Sequence, residues 1–236
     1  MATISELVEE ASFEATSEGI SFRAMDPSHV ALVDLFWPNS AFEKYSCDQQ
    51  FKFTVRVDDF VKLMKRAESR DSVEISASES DETLLLKLSD GYRREFKIHL
   101  IESTYSPTPL PKISFNTKIR MVEKTFERIL SDISTIADHV SIHAAGDKVV
   151  FSGSSEKGTA SITLDRGSQD ILELEVKEES RATYGIDYLL GITKAAGAIS
   201  DTLNCEYSTR MPLRLEFKLG EEGGRIHFYL APRVEG

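Results

Sequence analysis

The sequence predicts an α+β fold of two similar lobes, each built from β-sheets covered by two helices and joined by an extended proline-rich connector. Three observations carry that expectation: an internal near-repeat, a majority of alternating apolar patterns, and three prolines crowded near the middle of 236 residues. The repeat is clearest in Phe51-Lys52-Phe53-Thr54-Val55-Arg56-Val57-Asp58-Asp59-Phe60, where alternation gives way to a 3.6-residue period at an Asp. About 128 residues later, Arg181-Ala182-Thr183-Tyr184-Gly185-Ile186-Asp187-Tyr188 makes the same change. Asp59 falls on Asp187, Phe60 on Tyr188 and Arg66 on Lys194. Two copies of a unit this size imply two like domains side by side, not a solenoid.

Along the chain, Ile4, Leu7, Val8 and Ala11 have the spacing of one helix face, so the chain starts inside an amphipathic helix. Ser12 to Ala15 and Ile20 to Ala24 alternate around Ser17-Glu18-Gly19 and read as a hairpin. Val30 to Phe36 is the next strand, and the segment Asp58 to Ala67 is a helix burying Phe60, Leu63, Met64 and Ala67. Strands are expected at Ser72 to Ser78, Thr83 to Leu88 and Tyr92 to Ile101, answered later by Thr202 to Tyr207, Leu213 to Lys218 and Arg225 to Leu230. The second lobe opens with a helix over Phe126 to Ala137, followed by strands Val140 to Ala144, Lys148 to Ser152 and Thr159 to Leu164. A further helix covers Asp187 to Ala196. Such alternation implies sheets with one covered face, and the two apolar helix stripes of each lobe supply the cover. The expected division is 1–101, a connector 102–112 and 113–236; Pro107, Pro109 and Pro111 forbid helix in the connector and hold Leu110 in a stiff, extended segment.

Composition narrows the function. With 41% hydrophobic and 28% charged residues the chain is an ordinary globular one, and no apolar run nears the roughly 20 residues of a membrane span. Neither a basic-then-apolar leader nor a membrane partner is expected, and the reading is of a soluble intracellular protein. Cys47 and Cys205 lie far apart in unlike contexts and are expected to be unpaired thiols. The net charge of −11 argues against nucleic acid only if the 28 Lys and Arg are evenly spread. They are not. Lys62, Lys65 and Arg66 share the outer side of one helix, Arg128 and Lys194 take outward positions on two others, and acids crowd segments such as Glu79-Ser80-Asp81-Glu82. A cation on an outer helix face is ordinarily just solvated, but recurrence in both repeats favours phosphate contact that is sequence-independent and salt-sensitive.

Catalytic motifs are missing. There is no phosphate loop, nucleophile elbow or paired-cysteine zinc motif. Asp26, Ser28 and His29 are triad residue types, yet neighbours on one loop rarely converge into a relay. His139 and His143 have helical metal-pair spacing, but Val140 and Ile142 make the segment a strand and no further ligand follows. No cofactor is expected, and the chain reads as a binding protein.

Two segments carry a resemblance. Arg23-Ala24-Met25-Asp26-Pro27-Ser28-His29-Val30-Ala31-Leu32-Val33 and the ending Phe228-Tyr229-Leu230-Ala231-Pro232-Arg233-Val234 resemble the proliferating cell nuclear antigen family of sliding clamps, in its archaeal form. Met211-Pro212-Leu213, the helix around Asp187 and the proline-rich connector fall where that family has them, so the likeness spans essentially the whole chain. It implies the DNA clamp fold and a ring of three identical chains, with helices lining a hole threaded by double-stranded DNA. It also implies a processivity factor without catalytic activity, loaded by an ATP-using clamp loader and tethering DNA polymerase, a flap endonuclease and DNA ligase. The cations Lys62, Lys65, Arg66, Arg128 and Lys194 would face the hole. The partner-peptide pocket maps to Met25, His29, Val30, Leu32, Leu110, Pro212, Tyr229, Ala231, Pro232 and Val234, taking short peptides with a Gln and apolar or aromatic anchors. The setting implied is cytoplasm and nucleoid for an archaeal protein, nucleus for a eukaryotic one. The ring would close through strand edges, Tyr92 to Leu100 against Gly158 to Leu164.

The sequence departs from the family in two places. The family has a strand ahead of the first helix, so one hairpin edge of the first lobe is expected to be unsatisfied. Ser131 and Thr135 stand where relatives often carry basic or His residues, leaving Arg128 to serve that helix. Two other readings are one subunit of a heterotrimeric clamp and a small-molecule hydrolase using Asp26, Ser28 and His29.

Overall fold

The computed structural model describes residues 2–5, 7–78, 82–102 and 108–234. The first half runs α1 (Ala2–Ser5), β1 (Glu10–Thr16), β2 (Gly19–Met25), β3 (Ala31–Pro38), β4 (Phe51–Arg56), α2 (Val57–Met64), β5 (Ser72–Ser78), β6 (Thr83–Asp90) and β7 (Tyr92–His99). The second half runs β8 (Thr117–Val122), α3 (Glu123–Ser134), β9 (His139–Ala145), β10 (Lys148–Ser155), β11 (Gly158–Asp165), β12 (Ile171–Val176), β13 (Ser180–Gly185), α4 (Ile186–Ala196), β14 (Thr202–Tyr207), β15 (Leu213–Leu219) and β16 (Gly224–Leu230). By order and pairing, β1, β2, β3 and β4 answer β9, β10, β11 and β13, while β5, β6 and β7 answer β14, β15 and β16.

Every pairing in the three sheets is antiparallel, as hairpin-connected strands with one buried face favour. A nine-stranded sheet runs β12-β8-β14-β15-β16-β3-β2-β1-β4, a four-stranded one β11-β10-β9-β13 and a three-stranded one β5-β6-β7. The largest sheet crosses between the halves at one seam, where β16 pairs with β3 through Leu230↔Ala31, Phe228↔Val33 and Ile226↔Leu35. These inward residues belong to a core that also takes Phe126 and Phe151, whose rings meet edge to face at 6.0 Å. Each fully buried Val, Leu, Ile or Phe among them contributes about 1.5–3 kcal/mol by leaving water. The helices form a single layer against this core, α1 touching α2 and α4, and α4 touching α3.

The β-strands fall where alternation predicts them to within a few residues, with β8 and β12 added; the helix bounds differ. Ile4, Leu7, Val8 and Ala11 are all buried, but α1 stops at Ser5, and Ala11 lies in β1 opposite Val55 of β4. Pairing of β1 with β4 overrides the helical spacing there. Helix α2 ends at Met64 because the N–H groups of Arg66 and Ala67 turn back to the carbonyls of Leu63 and Met64, tightening the last turn. Helix α3 begins three residues earlier than Phe126 and ends at Ser134. There the Ser134 and Thr135 hydroxyls donate to the carbonyls of Ser131 (2.7 Å) and Asp132 (2.8 Å). Of the acidic segment, Glu79, Ser80 and Asp81 lie outside the described residues, as do Ser103 to Pro107 of the connector.

Candidate DNA-facing helices and peptide cradle

The helix layer presents its polar side to solvent, and all five cations singled out above are exposed on it or at its ends. Local chemistry explains their placement. Helix α2 carries Asp58 and Asp59 in its first turn and Lys62 in its last, with Lys65 as its C-cap; α4 has Asp187 first and Lys194 last. Each arrangement complements the helix dipole, by about 0.3–1 kcal/mol per charge. Lys62 makes a loose contact with Asp59 at 3.7 Å, which at this exposure leaves the ammonium available. Arg128 stands on α3, where its exposed neighbours include Ser131, Asp132 and Thr135. The described helices thus offer scattered, exposed cations, a pattern suited to phosphate attraction more than to base reading.

On the nine-stranded sheet a second surface comes together. Met25 pairs with Leu32 and Leu32 with Tyr229, so residues from β2, β3 and β16 stand in one register line on one face. Leu32 and Tyr229 are buried, Met25 half-buried. The turn from Asp26 to Val30 folds over the end of this line. His29, at φ +57°, takes a left-handed conformation uncommon for a non-glycine residue, and its Nδ1 approaches the Met25 sulphur at 3.2 Å. The tail closes the side: the Ala231 N–H donates to the Val30 carbonyl at 2.9 Å, and the Arg233 N–H to the Thr183 carbonyl at 2.7 Å. Leu213 pairs with Leu230, which brings half-buried Pro212 beside Ala231 and Pro232 at the ladder's end. Val234 is exposed beyond. The connector reaches the same face, since Arg23, two residues before Met25, donates to the Thr108 carbonyl at 3.4 Å while its Nε holds Asp34 at 2.8 Å. Leu110 is half-exposed two residues further on.

Several residues that shape this cradle carry no signal in the sequence patterns. Asp26 is one: its buried carboxylate accepts the N–H groups of Ser28 (3.2 Å), Val30 (2.7 Å) and Ala31 (2.6 Å). It therefore builds a turn and orients no histidine, and the hydrolase reading has no relay. Arg233 and His139 both reach Asp138, at 3.1 and 2.7 Å, and hold its carboxyl down to about 2, the His139 bond being the larger cause. On the same face as Tyr229, His227 bonds Glu216 at 2.7 Å, and that bond lowers Glu216 to about 2. His143 meets Glu179 at 2.8 Å, and among the described residues no three His, Cys, Asp or Glu converge on a metal. Cys205 is buried, and burial raises its thiol far above the reactive range; both cysteines are free. A surface groove of about 490 Å³ runs over Ser141, Ser152, Ser161 and Arg181 of the four-stranded sheet and reaches the tail at Arg233 and Val234, so it adjoins the cradle at its C-terminal end.

Duplicated sheets, a shared helix layer with exposed cations and an apolar cradle without catalytic machinery define a two-lobed clamp protomer. The chain belongs to the proliferating cell nuclear antigen family and is a DNA polymerase sliding clamp, a processivity factor of DNA replication and not an enzyme. The family model for the N-terminal domain matches residues 1–103 and that for the C-terminal domain residues 109–233. The chain is 50% identical over 235 residues to the DNA polymerase sliding clamp of Nitrosopumilus maritimus, covering 100% of this chain and 93% of that one. It is also 50% identical over 234 residues to that of Cenarchaeum symbiosum, covering 99% and 93%. Among solved structures, PCNA from Thermococcus kodakaraensis superposes with a TM-score of 0.92 at 26% identity, covering 98% of this chain and 94% of that one. A chain of the PCNA2-PCNA3 complex from Sulfolobus tokodaii gives 0.89 at 29%, covering 99% and 94%.

Proposed function

We propose that three copies of this chain close into a ring around double-stranded DNA and tether replication and repair enzymes through the cradle. One observation carries the ring. Within the chain, the last strand of the second half, β16, pairs with the third strand of the first half, β3. Their repeat counterparts, β7 and β11, are both edge strands, as are β4, β5, β12 and β13. Both bear alternating half-buried inward residues, Arg94, Phe96 and Ile98 on β7 and Ala160, Ile162 and Leu164 on β11. Repeating the internal seam between chains uses up both edges, head to tail, and a contact of that kind closes into a ring when the rotation suits.

Lys62, Lys65, Arg66, Arg128 and Lys194 would then line the hole. Enclosure supplies retention, so weak phosphate attraction suffices and a chain of net charge −11 can still hold DNA. Met25, His29, Val30, Leu32, Leu110, Pro212, Tyr229, Ala231, Pro232 and Val234 would take the partner peptide, as exposed apolar residues beside a stiff connector suit. This reading takes residues 102–112 as the link between lobes 1–101 and 113–236, with Thr108 and Leu110 at one lip of the cradle. DNA polymerase, clamp loader, flap endonuclease and DNA ligase are the partners this reading assigns. With archaeal relatives at 50% identity, it works in cytoplasm at the nucleoid.

Light scattering on the pure chain tests the assembly. A mass near 79 kDa, three times the 26.4 kDa chain, is expected, and a monomer at micromolar concentration contradicts the homotrimer. The likeness to a PCNA2-PCNA3 complex favours a second reading, one subunit of a mixed ring, which predicts a trimer mass only after mixing with a paralogue.

A further inference from the structure

We infer that Tyr188 is a positioning residue of the peptide cradle, its hydroxyl fixing the Asp26 carboxylate that shapes the loop bearing Met25, His29 and Val30. This rests on the cradle reading above. The Tyr188 hydroxyl, in the first turn of α4, donates to Asp26 Oδ2 at 2.9 Å across 162 residues of sequence, joining the second half to the first. Oδ1 of the same carboxylate takes the Val30 and Ala31 N–H groups, so the only other bond to Oδ2 among those described is the longer one from Ser28. No Lys or Arg bridges Asp26 among the described residues. Among the described residues the buried carboxylate is held by uncharged hydrogen-bond donors, four of them in all.

The geometry of the loop depends on that carboxylate. Asp26 closes the turn through its own N–H to the Ala31 carbonyl (2.8 Å) and its carbonyl to the His29 N–H (3.0 Å). His29 sits at positive φ, a conformation that persists only where surroundings over-determine it. Val30 in turn holds the tail through Ala231. Loosening Oδ2 therefore loosens both the loop and the tail that flank the Met25–Leu32–Tyr229 line. Burial, and then the Asp26 bond, raises the Tyr188 hydroxyl above its ordinary value, so it stays a donor across neutral pH. Helix α4 thus reaches two surfaces, Tyr188 bracing the cradle at one end and Lys194 facing solvent at the other.

The test measures binding of a fluorescent Gln-plus-aromatic peptide to the whole chain and to Tyr188→Phe, Asp26→Asn and the double variant. Hydrogen exchange is followed at the Val30 and Ala31 amides. Tyr188→Phe is expected to weaken the peptide about five- to tenfold and to speed exchange at both amides, with ring mass and melting unchanged. In the Asp26→Asn background, Tyr188→Phe is expected to add nothing further, because both act through one carboxylate. Wild-type affinity and exchange in Tyr188→Phe, or independent losses that multiply in the double variant, overturn the inference. Leu110→Ala separates the two ideas: if the wild type does not bind, or Leu110→Ala binds equally well, the cradle reading itself fails.

Discussion

The two halves share one plan but not one finish, and strands β5 and β14 display the difference. Both open the closing three-strand run of their half. In β14, Leu203 and Cys205 are 1% and 0% exposed, because β8 pairs along the strand's outer edge and the twelve-residue α3 lies above. In β5, Val73 and Ile75 face the same side as buried Leu88 and Leu86, yet they are 43% and 44% exposed. Among the described residues β5 pairs only with β6, and α1 spans four residues. Apolar positions that answer one another in the two halves are thus buried or bare according to their neighbours. Apolar alternation specifies which side of a strand faces inward; cover from the next strand and helix decides how much that burial stabilises.

The contrast can be broken at the open edges first. Replacing Phe96 or Ile162 by Asp puts a charge on β7 or β11 where the chains are proposed to meet, while the β16–β3 seam stays intact. Scattering mass should fall from three chains to one with circular dichroism unchanged. Next come the cores. Leu203→Ala should cost about 2–5 kcal/mol in urea unfolding, whereas Ile75→Ala should cost less than about 1 kcal/mol. Equal losses would remove the asymmetry between the halves.

Titration sharpens it further. Glu216 is lowered from the ordinary glutamate value to about 2, mainly by the His227 bond, so its contribution is present above about pH 4.5 and is lost as pH falls toward 2. That loss is on the order of 2 kcal/mol after allowing for partial exposure. A His227→Ala chain should show a shallower decline in stability between pH 5 and 2. Glu123 behaves oppositely. It is buried at the start of α3 against Gly197, where an added Cβ would stand 2.5 Å from its Oε2, and burial raises its pKa. A raised value means its stabilising share is full at low pH and fades as pH climbs through that value. Glu123→Gln should therefore raise the melting temperature by about 2–4 °C at pH 7 and leave it unchanged near pH 4.

Much of this was legible in the residues. The repeat around Asp59 and Asp187, the β5–β7 and β14–β16 runs, and the buried stripe Ile4, Leu7, Val8 and Ala11 follow from period alone. Ala11 marks the limit, since its helical spacing is overruled by pairing with Val55, a long-range contact that period does not encode. At the cradle, Met25 and Tyr229 came from resemblance, but their shared line with Leu32 is a matter of register across three strands. Tyr188 read only as a counterpart of Phe60. Its bond to Asp26 spans the two halves, and no local pattern announces a partner so distant.

Loading the clamp onto DNA tests the central claim of retention by enclosure most directly. Protein is placed on nicked circular and on linear duplex of the same sequence, and the amount kept is followed at moderate salt. Long residence on the circle is expected, with rapid loss from the free ends that is abolished when those ends are blocked. Equal residence on circular and open linear DNA would contradict it.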